Sequence, residues 1–247
     1  MEKKLYRQMR DLEDRHWWFL GRRHIVRTII ERLGLSQDIT ILDVGCGTGG
    51  NLSMLAKFGS VVGSEYDPEA ARMAAERGVA EIVQSGLPDQ MPFADGQFQL
   101  ITLLDVLEHI DEDQASLETL TNLLSPGGHL VMTVPAFQFL WGAHDIEHHH
   151  RRRYRAKQLR QRLESGGLQV QWLSYYNSLL FPIVALVRVL RRVFLGRSHD
   201  SVEGRELVLP PPVINWLLER LFASEGYWLG RRYVPFGVSL IAIARKP

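Results

Sequence analysis

Short apolar runs alternate with amphipathic stretches along most of the chain. The runs have the length and the β-branched content of buried strands, and several of the stretches between them carry apolar residues at helical spacing. Such an alternation of strand and helix predicts a parallel sheet with helices on both faces, a doubly wound α/β fold. The runs that we interpret as strands lie at 39–44, 60–67, 81–84, 98–104, 130–134, 168–175 and 237–244.

Helical patterns divide the chain into four parts. Residues 1–36 predict an N-terminal helical cap, 37–176 the core that carries the sheet, 177–233 a helical insertion or lid, and 234–247 the last core strand. The expected helices of the core and insertion lie at 51–58, 68–77 (ended by Gly78), 113–124, 156–165, 178–195 (apolar) and 213–222 (amphipathic), with a polar link at 198–204 between the last two.

A glycine-rich turn follows the first strand, in the sequence Ile-Leu-Asp-Val-Gly-Cys-Gly-Thr-Gly-Gly at 41–50. Strand, glycine turn and helix form the ligand-binding half of a doubly wound domain, where the ligand lies at the carboxyl ends of the strands. The tight spacing of Gly45, Gly47 and Gly49 differs from the dinucleotide pattern Gly-x-Gly-x-x-Gly, which disfavours an oxidoreductase. Asp43 before the turn suits a cationic or hydroxyl-bearing ligand, and Glu65, at the end of the second strand, is placed to bind a ribose diol.

Five ordered motifs carry a resemblance to a known family. They are Asp43-x-Gly45-x-Gly47-x-Gly49, the acidic strand end at Glu65, Met91-Pro92-Phe93, Asp105-Val-Leu-Glu-His109 and Ser125-Pro-Gly-Gly128. With them the chain resembles the class I S-adenosylmethionine-dependent methyltransferases, in the branch that includes the ubiquinone-biosynthesis O-methyltransferases. The resemblance covers about residues 38–175. It implies a Rossmann-like sheet of seven strands with the last strand antiparallel, and S-adenosyl-L-methionine as the cofactor.

The resemblance also implies a set of cofactor-binding residues around the glycine turn and the following strand ends. Two positions depart from the family pattern: Leu87 stands where an acidic residue often reaches the adenine, and Gln99 stands where aspartate is usual. The departure at Gln99 keeps a non-catalytic cofactor-binding protein open as an alternative. The expected cofactor-binding residues are Asp43, Gly45, Cys46, Gly47, Gly49, Asn51, Glu65, Tyr66, Leu87, Asp105 and Val106.

Methyl transfer to an oxygen needs alignment, exclusion of water and a base that removes the acceptor's proton. His109, at the end of the fourth strand, is the leading candidate for that base, with His144 and His150 as rivals. The spacing of His144, Asp145 and His148 suits a metal, but we expect none because transfer from a sulfonium requires none. The expected substrate-binding residues are Trp17, Trp18, Arg22, Glu108, Trp141, Arg153 and Tyr154.

Charge and composition bear on partners and compartment. The formal net charge is +1, yet basic residues concentrate between 151 and 197. DNA is not expected as a partner, and RNA is disfavoured because no recognition motif accompanies this basic segment. The single cysteine, Cys46, excludes an internal disulfide and favours a cytoplasmic location.

The apolar segment 178–195, which carries arginines in its second half, has the composition of an interfacial anchor. A lid or a homodimer contact would explain the same composition. Whether this segment is an anchor, a lid or a dimer contact, we expect the methyl acceptor to be small and hydrophobic or linked to a lipid. O-methylation is the first expectation, and N- or C-methylation of another small molecule, or methylation of RNA or protein, stays open.

Overall fold

The computed structural model describes residues 3–194 and 208–247. Its strands are β1 (Ile39–Val44), β2 (Gly59–Glu65), β3 (Glu81–Gln84), β4 (Phe98–Leu104), β5 (Leu124–Pro135), β6 (Gln169–Tyr176) and β7 (Ser239–Arg245). Its helices are α1 (Lys3–Leu12), α2 (Trp17–Arg32), α3 (Leu52–Leu55), α4 (Pro68–Ala75), α5 (Asp113–Leu123), α6 (Ala143–Glu147), α7 (Ala156–Ser165), α8 (Phe181–Phe194) and α9 (Pro212–Ser224).

The strands form one mixed sheet in the order β3-β2-β1-β4-β5-β7-β6. Strands β1 to β5 are parallel, whereas β7 runs antiparallel to both β5 and β6. Val44 at the end of β1 pairs with Ser64 of β2 and with Leu103 of β4. The carboxyl ends of three neighbouring strands therefore meet at one edge of the sheet, which is where an open α/β sheet binds ligands. The predicted seven-stranded fold with an antiparallel last strand is confirmed.

Apolar side chains cover both faces of the sheet and form two buried layers. One layer joins the sheet to α5 and α7 through residues such as Leu117, Leu120 and Leu163. The other joins it to α2 and α9 through Ile25 and Phe222. These layers hold the strand ends in fixed register beneath the site.

Two predicted core elements have bounds that differ from the structure by more than two residues at one end. The helix expected at 51–58 contains only Leu52–Leu55, since the following turns tighten through bonds such as Phe58 N–H to the Leu55 carbonyl (2.9 Å) before β2 begins. The strand expected at 130–134 spans Leu124–Pro135. Its first part contains an irregularity, because Phe98 pairs with Leu124 whereas Leu100 pairs with His129. The Ser-Pro-Gly-Gly motif lies inside this irregular strand.

The segment expected as an insertion contributes α8 and α9. Helix α9 packs on α2 at a close approach: a Cβ on Gly21 would lie 2.6 Å from the Phe222 ring. The Asn215 side chain joins the two helices further, accepting from Trp17 N–H (2.9 Å) and donating to the Arg15 carbonyl (2.8 Å). Among the residues described, no helix is both long and apolar enough to cross a bilayer. The polar link expected at 198–204 lies outside the described residues.

Candidate active site

The glycine turn after β1 has a backbone that depends on glycine. Gly45, Gly47 and Gly49 have φ angles of 67°, 58° and 85°, in the left-handed region that side chains disfavour. A Cβ on Gly45 would lie 2.5 Å from Val106 Cγ2, whereas a Cβ on Gly47 would meet no atom within 4 Å. The turn therefore packs closely against Val106 and leaves open space above Gly47.

The residues beside these glycines hold the turn in place. Gly45 N–H and Cys46 N–H both donate to the Ser64 carbonyl, at 2.8 and 3.0 Å. Cys46 is buried, and burial raises the pKa of its thiol, so its role is packing within the turn. Asn51 immediately precedes α3.

Two buried carboxylates lie beside the turn. Asp43 accepts from the Thr102 hydroxyl at 2.6 Å through Oδ1, while its Oδ2 is buried without a hydrogen-bond partner. Burial raises the pKa of Asp43 to about 6. Glu65 accepts from Gly47 N–H (2.8 Å) and Asp67 N–H (3.0 Å), and burial raises its pKa as well. A buried carboxylate oxygen without a partner is costly, so it indicates a ligand with a cationic or donor group.

A cavity of about 360 Å³ lies beyond Glu65 at the ends of β2 and β3. It is lined by Tyr66, Pro68, Gln84, Ser85 and Gln90. Tyr66 was expected there from the sequence. The polar residues at the end of β3 were missed, although the position of a strand end at this edge could have indicated them.

The Leu87 side chain packs against the main apolar core and is not among the residues that line this cavity.

The residues around the turn fit S-adenosyl-L-methionine. Its ammonium group requires an acceptor such as Asp43 Oδ2, its ribose diol requires a carboxylate such as Glu65, and its adenine requires a partly apolar cavity with polar groups. This fit rests on the orphaned oxygen of Asp43 and the open space above Gly47.

The N-terminal cap reaches this edge of the sheet through several polar contacts. Arg22 of α2 forms an ion pair with Asp105, whose φ of 57° turns the chain sharply at the end of β4. The Arg22 guanidinium also lies 4.5 Å from the centre of the Trp18 ring. Glu13 accepts from the Thr48 hydroxyl at 2.6 Å and so joins the cap to the glycine turn. The sequence placed Arg22 and Trp18 near the mouth but gave no signal for the Glu13 contact.

A cluster of histidines and carboxylates lies just past β4. Glu108 is fully buried, and both of its carboxylate oxygens lack a hydrogen-bond partner. Its Oε1 lies 4.0 Å from His150 Nε2. His150 Nδ1 lies 2.8 Å from Asp145 Oδ1, and the His109 and His150 rings meet edge to face at 4.7 Å. The His144 ring also lies 5.7 Å from the His150 ring, so the structure brings all three predicted catalytic histidines together.

Burial and neighbouring charges shift the pKa values of the side chains in this cluster. Burial, with the Asp105 charge, raises the pKa of Glu108 well above its usual range. Burial and the nearby His150 lower the pKa of His109 to about 4. Burial alone would raise the pKa of Asp145, but hydrogen bonds from His150 and Arg153 hold it well below its usual range. Asp145 is therefore a carboxylate at neutral pH, and His109 is a neutral imidazole.

The sequence spacing suggested His144, Asp145 and His148 as possible metal ligands. The potential ligand atoms that lie close together in the structure belong to a different set of residues. Within the described part of the chain, Glu108, His109 and His150 place one donor atom each within 4.8 Å of one another. His144 and His148 instead lie with their rings 4.1 Å apart.

Three expected substrate-binding residues belong to the roof formed after β5. Arg153 is buried, and its guanidinium donates to both oxygens of Asp145, at 2.8 and 2.9 Å. Tyr154 is fully buried and its hydroxyl donates to Asp113 Oδ2 at 3.0 Å. Trp141 is half-buried, after a short turn at Gln138–Leu140. Arg153 and Tyr154 thus have internal partners that shape the roof.

The chain is similar in sequence to known methyltransferases. The methyltransferase domain family matches residues 18–172, more than half of the chain. The ubiquinone biosynthesis O-methyltransferase of Pseudomonas paraeruginosa is 35% identical over 118 residues, which cover 44% of this chain and 49% of that protein. The demethylmenaquinone methyltransferase of Corynebacterium glutamicum is 30% identical over 103 residues, covering 41% of this chain and 44% of that protein. The chain thus spans less than half the length of either relative.

The fold is also similar to that of solved methyltransferases. The geranyl diphosphate C-methyltransferase of Streptomyces coelicolor has a TM-score of 0.59 at 16% identity, covering 90% of this chain and 77% of that one. At this identity the likeness shows the fold alone, and it confirms the predicted class I architecture. The family match confirms the resemblance found in the sequence and supports S-adenosyl-L-methionine as the cofactor. The chain belongs to the methyltransferase domain family.

Proposed function

We propose that this protein transfers a methyl group from S-adenosyl-L-methionine to an oxygen of a small hydrophobic or lipid-linked acceptor. The observation that carries the proposal is the pair of buried carboxylates, Asp43 and Glu65, on either side of a glycine turn with open space above it. A cationic amino acid group and a ribose diol are the ligand groups that such a pair suits.

On the cofactor side, Asp43 pairs with the ammonium group and Glu65 accepts from the ribose hydroxyls. Tyr66 and the polar residues at the end of β3 surround the adenine. When bound, the cofactor supplies a methyl group already activated by the positive charge on sulfur. The chain's own contribution is to orient this group toward the acceptor and to exclude water.

On the acceptor side, we assign proton removal to His150. Asp145 accepts a hydrogen bond from His150 Nδ1 at 2.8 Å, which fixes the ring and leaves Nε2 able to accept the proton of the attacking hydroxyl. His109, the first candidate from the sequence, is a weaker base because its pKa is lowered to about 4. The ring of His144, the third candidate, lies 5.7 Å from the His150 ring and 4.1 Å from the His148 ring. Trp17, Trp18 and Arg22 of the cap close the acceptor side.

The character of the acceptor rests on the relatives and on α8. The two relatives are named for quinone pathways, and the first is an O-methyltransferase. Helix α8 exposes apolar residues at helical spacing, Ile183, Leu186, Val187 and Leu190. An apolar acceptor at the site mouth, a lipid surface or a second copy of the chain would each cover such a stripe.

The proposal is tested with methyl-labelled S-adenosylmethionine and a panel of phenols, catechols and hydroquinones with and without isoprenoid tails. We expect label in the ether product of a tailed hydroquinone or catechol, and none with Asp43→Asn. Transfer only to a nitrogen or carbon acceptor would contradict oxygen as the nucleophile. Tight cofactor binding without transfer to any acceptor would contradict catalysis itself.

The affinity for S-adenosylhomocysteine is expected to fall as the pH is lowered through the pKa of Asp43, about 6. Below this value the carboxyl of the free protein is protonated, and the ligand's ammonium group must displace that proton. The dissociation constant should then rise by about tenfold per pH unit. Titration calorimetry on both sides of this pH measures the effect. Asp43→Asn should bind S-adenosylhomocysteine more weakly, and its dissociation constant should depend less on pH. If the pH dependence in this variant equals that of the wild type, the group that titrates is another one, such as Glu65.

A further inference from the structure

The outer face of α9 carries a continuous apolar surface. Val213, Ile214, Leu217 and Leu221 recur on one side of the helix, and all of them are exposed, Val213 to 70% and Leu217 to 54%. Trp216 is exposed beside them. The opposite face is already used, because Phe222 is fully buried against α2. An apolar helix face of this extent, turned away from the core, marks an interaction surface.

A cation lies on α9 beside this surface, and further exposed cations and aromatic residues follow the helix in the chain. The Arg220 guanidinium lies 5.8 Å from the centre of the Trp216 ring. Arg231 and Arg232 are exposed in the loop after α9, together with Tyr227 and Tyr233. Exposed arginines, tyrosine and tryptophan beside an apolar helix face are the residue types that meet lipid headgroups at a bilayer surface.

The charge of this region indicates which kind of partner would cover the apolar face of α9. Within 208–247 the acidic residues are Glu219 and Glu225, and Glu225 is fully buried, where it accepts from Ser178. The exposed arginines of this region therefore outnumber its exposed acids, which disfavours a second copy of the same region as the partner in a two-fold dimer. An anionic surface has the complementary charge.

We propose that α9 and the loop 227–236 dock on an anionic lipid bilayer, with the helix lying in the plane of the interface. The apolar face enters the headgroup and acyl boundary, while Arg220, Arg231 and Arg232 meet lipid phosphates. This docking rests on the proposed function in one respect: it gives a lipid-linked acceptor its route to the site.

The inner face of α9 connects this surface to the site. Asn215 accepts from Trp17 N–H at 2.9 Å, and the Phe222 ring lies 5.8 Å from the Trp17 ring. Trp18 follows Trp17 on α2, and about one turn further along the helix Arg22 forms the ion pair with Asp105 at the end of β4. A protein docked through α9 therefore holds the cap side of the site near the bilayer.

The test is sedimentation of the full chain with vesicles of phosphatidylcholine alone or mixed with phosphatidylglycerol. We expect binding to the mixed vesicles. Leu217→Ser should weaken this binding at least about tenfold, a change that corresponds to roughly 1.4 kcal/mol. Ile146→Ser is the matched control, because Ile146 on α6 is exposed to the same 54%. Arg231→Gln with Arg232→Gln should weaken binding to the mixed vesicles and reduce its dependence on salt.

Three results would overturn the docking. They are no binding of the wild type to either vesicle, equal binding by Leu217→Ser and Ile146→Ser, and dimerisation in solution that Leu217→Ser abolishes while vesicles stay unbound. Calorimetry with S-adenosylhomocysteine separates this failure from failure of the proposed function. We expect all these surface variants to bind that ligand as the wild type does.

Discussion

Replacing His150 with alanine is expected to lower kcat for methyl transfer by about 10²–10⁴-fold, the range for loss of a positioned general base. The acceptor hydroxyl loses its proton as it attacks, and without His150 no fixed imidazole is held by Asp145 to receive it. The dissociation constant for S-adenosylhomocysteine should stay unchanged, because the glycine turn and Glu65 are untouched.

The measurement is the transfer rate at saturating cofactor and acceptor, compared with two other histidine variants. His149→Ala is the matched control, since His149 is exposed and adjacent in sequence. His109→Ala should cost less than His150→Ala, because the pKa of His109 is lowered to about 4 and its ring serves as a neighbour of His150. A larger loss in His109→Ala, or full turnover in His150→Ala, would contradict the assignment.

Replacing Arg153 with alanine is expected to lower the free energy of unfolding by about 3–5 kcal/mol, the usual cost of breaking a buried ion pair by removing one partner. Arg153 and Asp145 are both buried, and two hydrogen bonds join them. The substitution leaves the Asp145 carboxylate inside the roof with His150, Arg188 and one backbone N–H as its neighbours.

Urea unfolding at neutral pH measures this effect, with Arg151→Ala as the control. Arg151 forms an exposed pair with Asp111 at 3.5 Å, so its loss should cost at most about 1 kcal/mol. The pKa of Asp145 is lowered in the folded protein, so its contribution to stability is present above the unfolded pKa of about 4 and is lost as the pH falls below it. Arg153→Ala should reduce that acid dependence. Equal stabilities of the two arginine variants would contradict this role.

The sheet and the glycine turn could be predicted because their signals are local. A buried parallel strand requires a nearly continuous apolar run, and Phe98–Leu104 has one. The positive φ angles of Gly45 and Gly47 require residues without a Cβ, so the glycines mark the turn directly. Glu65 then follows from its position at the end of the next strand.

The roof of the site could not be predicted in the same way, because its contacts depend on how the chain after β5 folds over the end of β4. Glu108 lies beside His150 only because the chain after β5 returns over the end of β4. The pairing of Arg153 with Asp145 is also set by the tertiary structure and has no signal in the sequence. The sequence could name Arg153 and Tyr154 as candidates for substrate contact, but their burial and internal partners required the structure.

The start of strand β5 could not be predicted from local sequence either. Ser125-Pro-Gly-Gly128 has the residues of a chain reversal, and the sequence therefore predicted a strand that began after it. Pairing of Phe98 with Leu124 on the neighbouring strand extends β5 through this motif. A strand's bounds depend on what it pairs with, which local propensity does not specify.

Calorimetric titration with S-adenosylhomocysteine tests the central claim most directly, because that claim is a cofactor site formed by the glycine turn and Glu65. We expect saturable binding by the wild type, at least about tenfold weaker binding by Glu65→Ala, roughly 1.4 kcal/mol, and no binding of NAD. Glu76→Ala, which removes an exposed carboxylate paired with Arg72, should bind as the wild type does. Absence of binding, or equal affinity in Glu65→Ala and Glu76→Ala, would contradict the account.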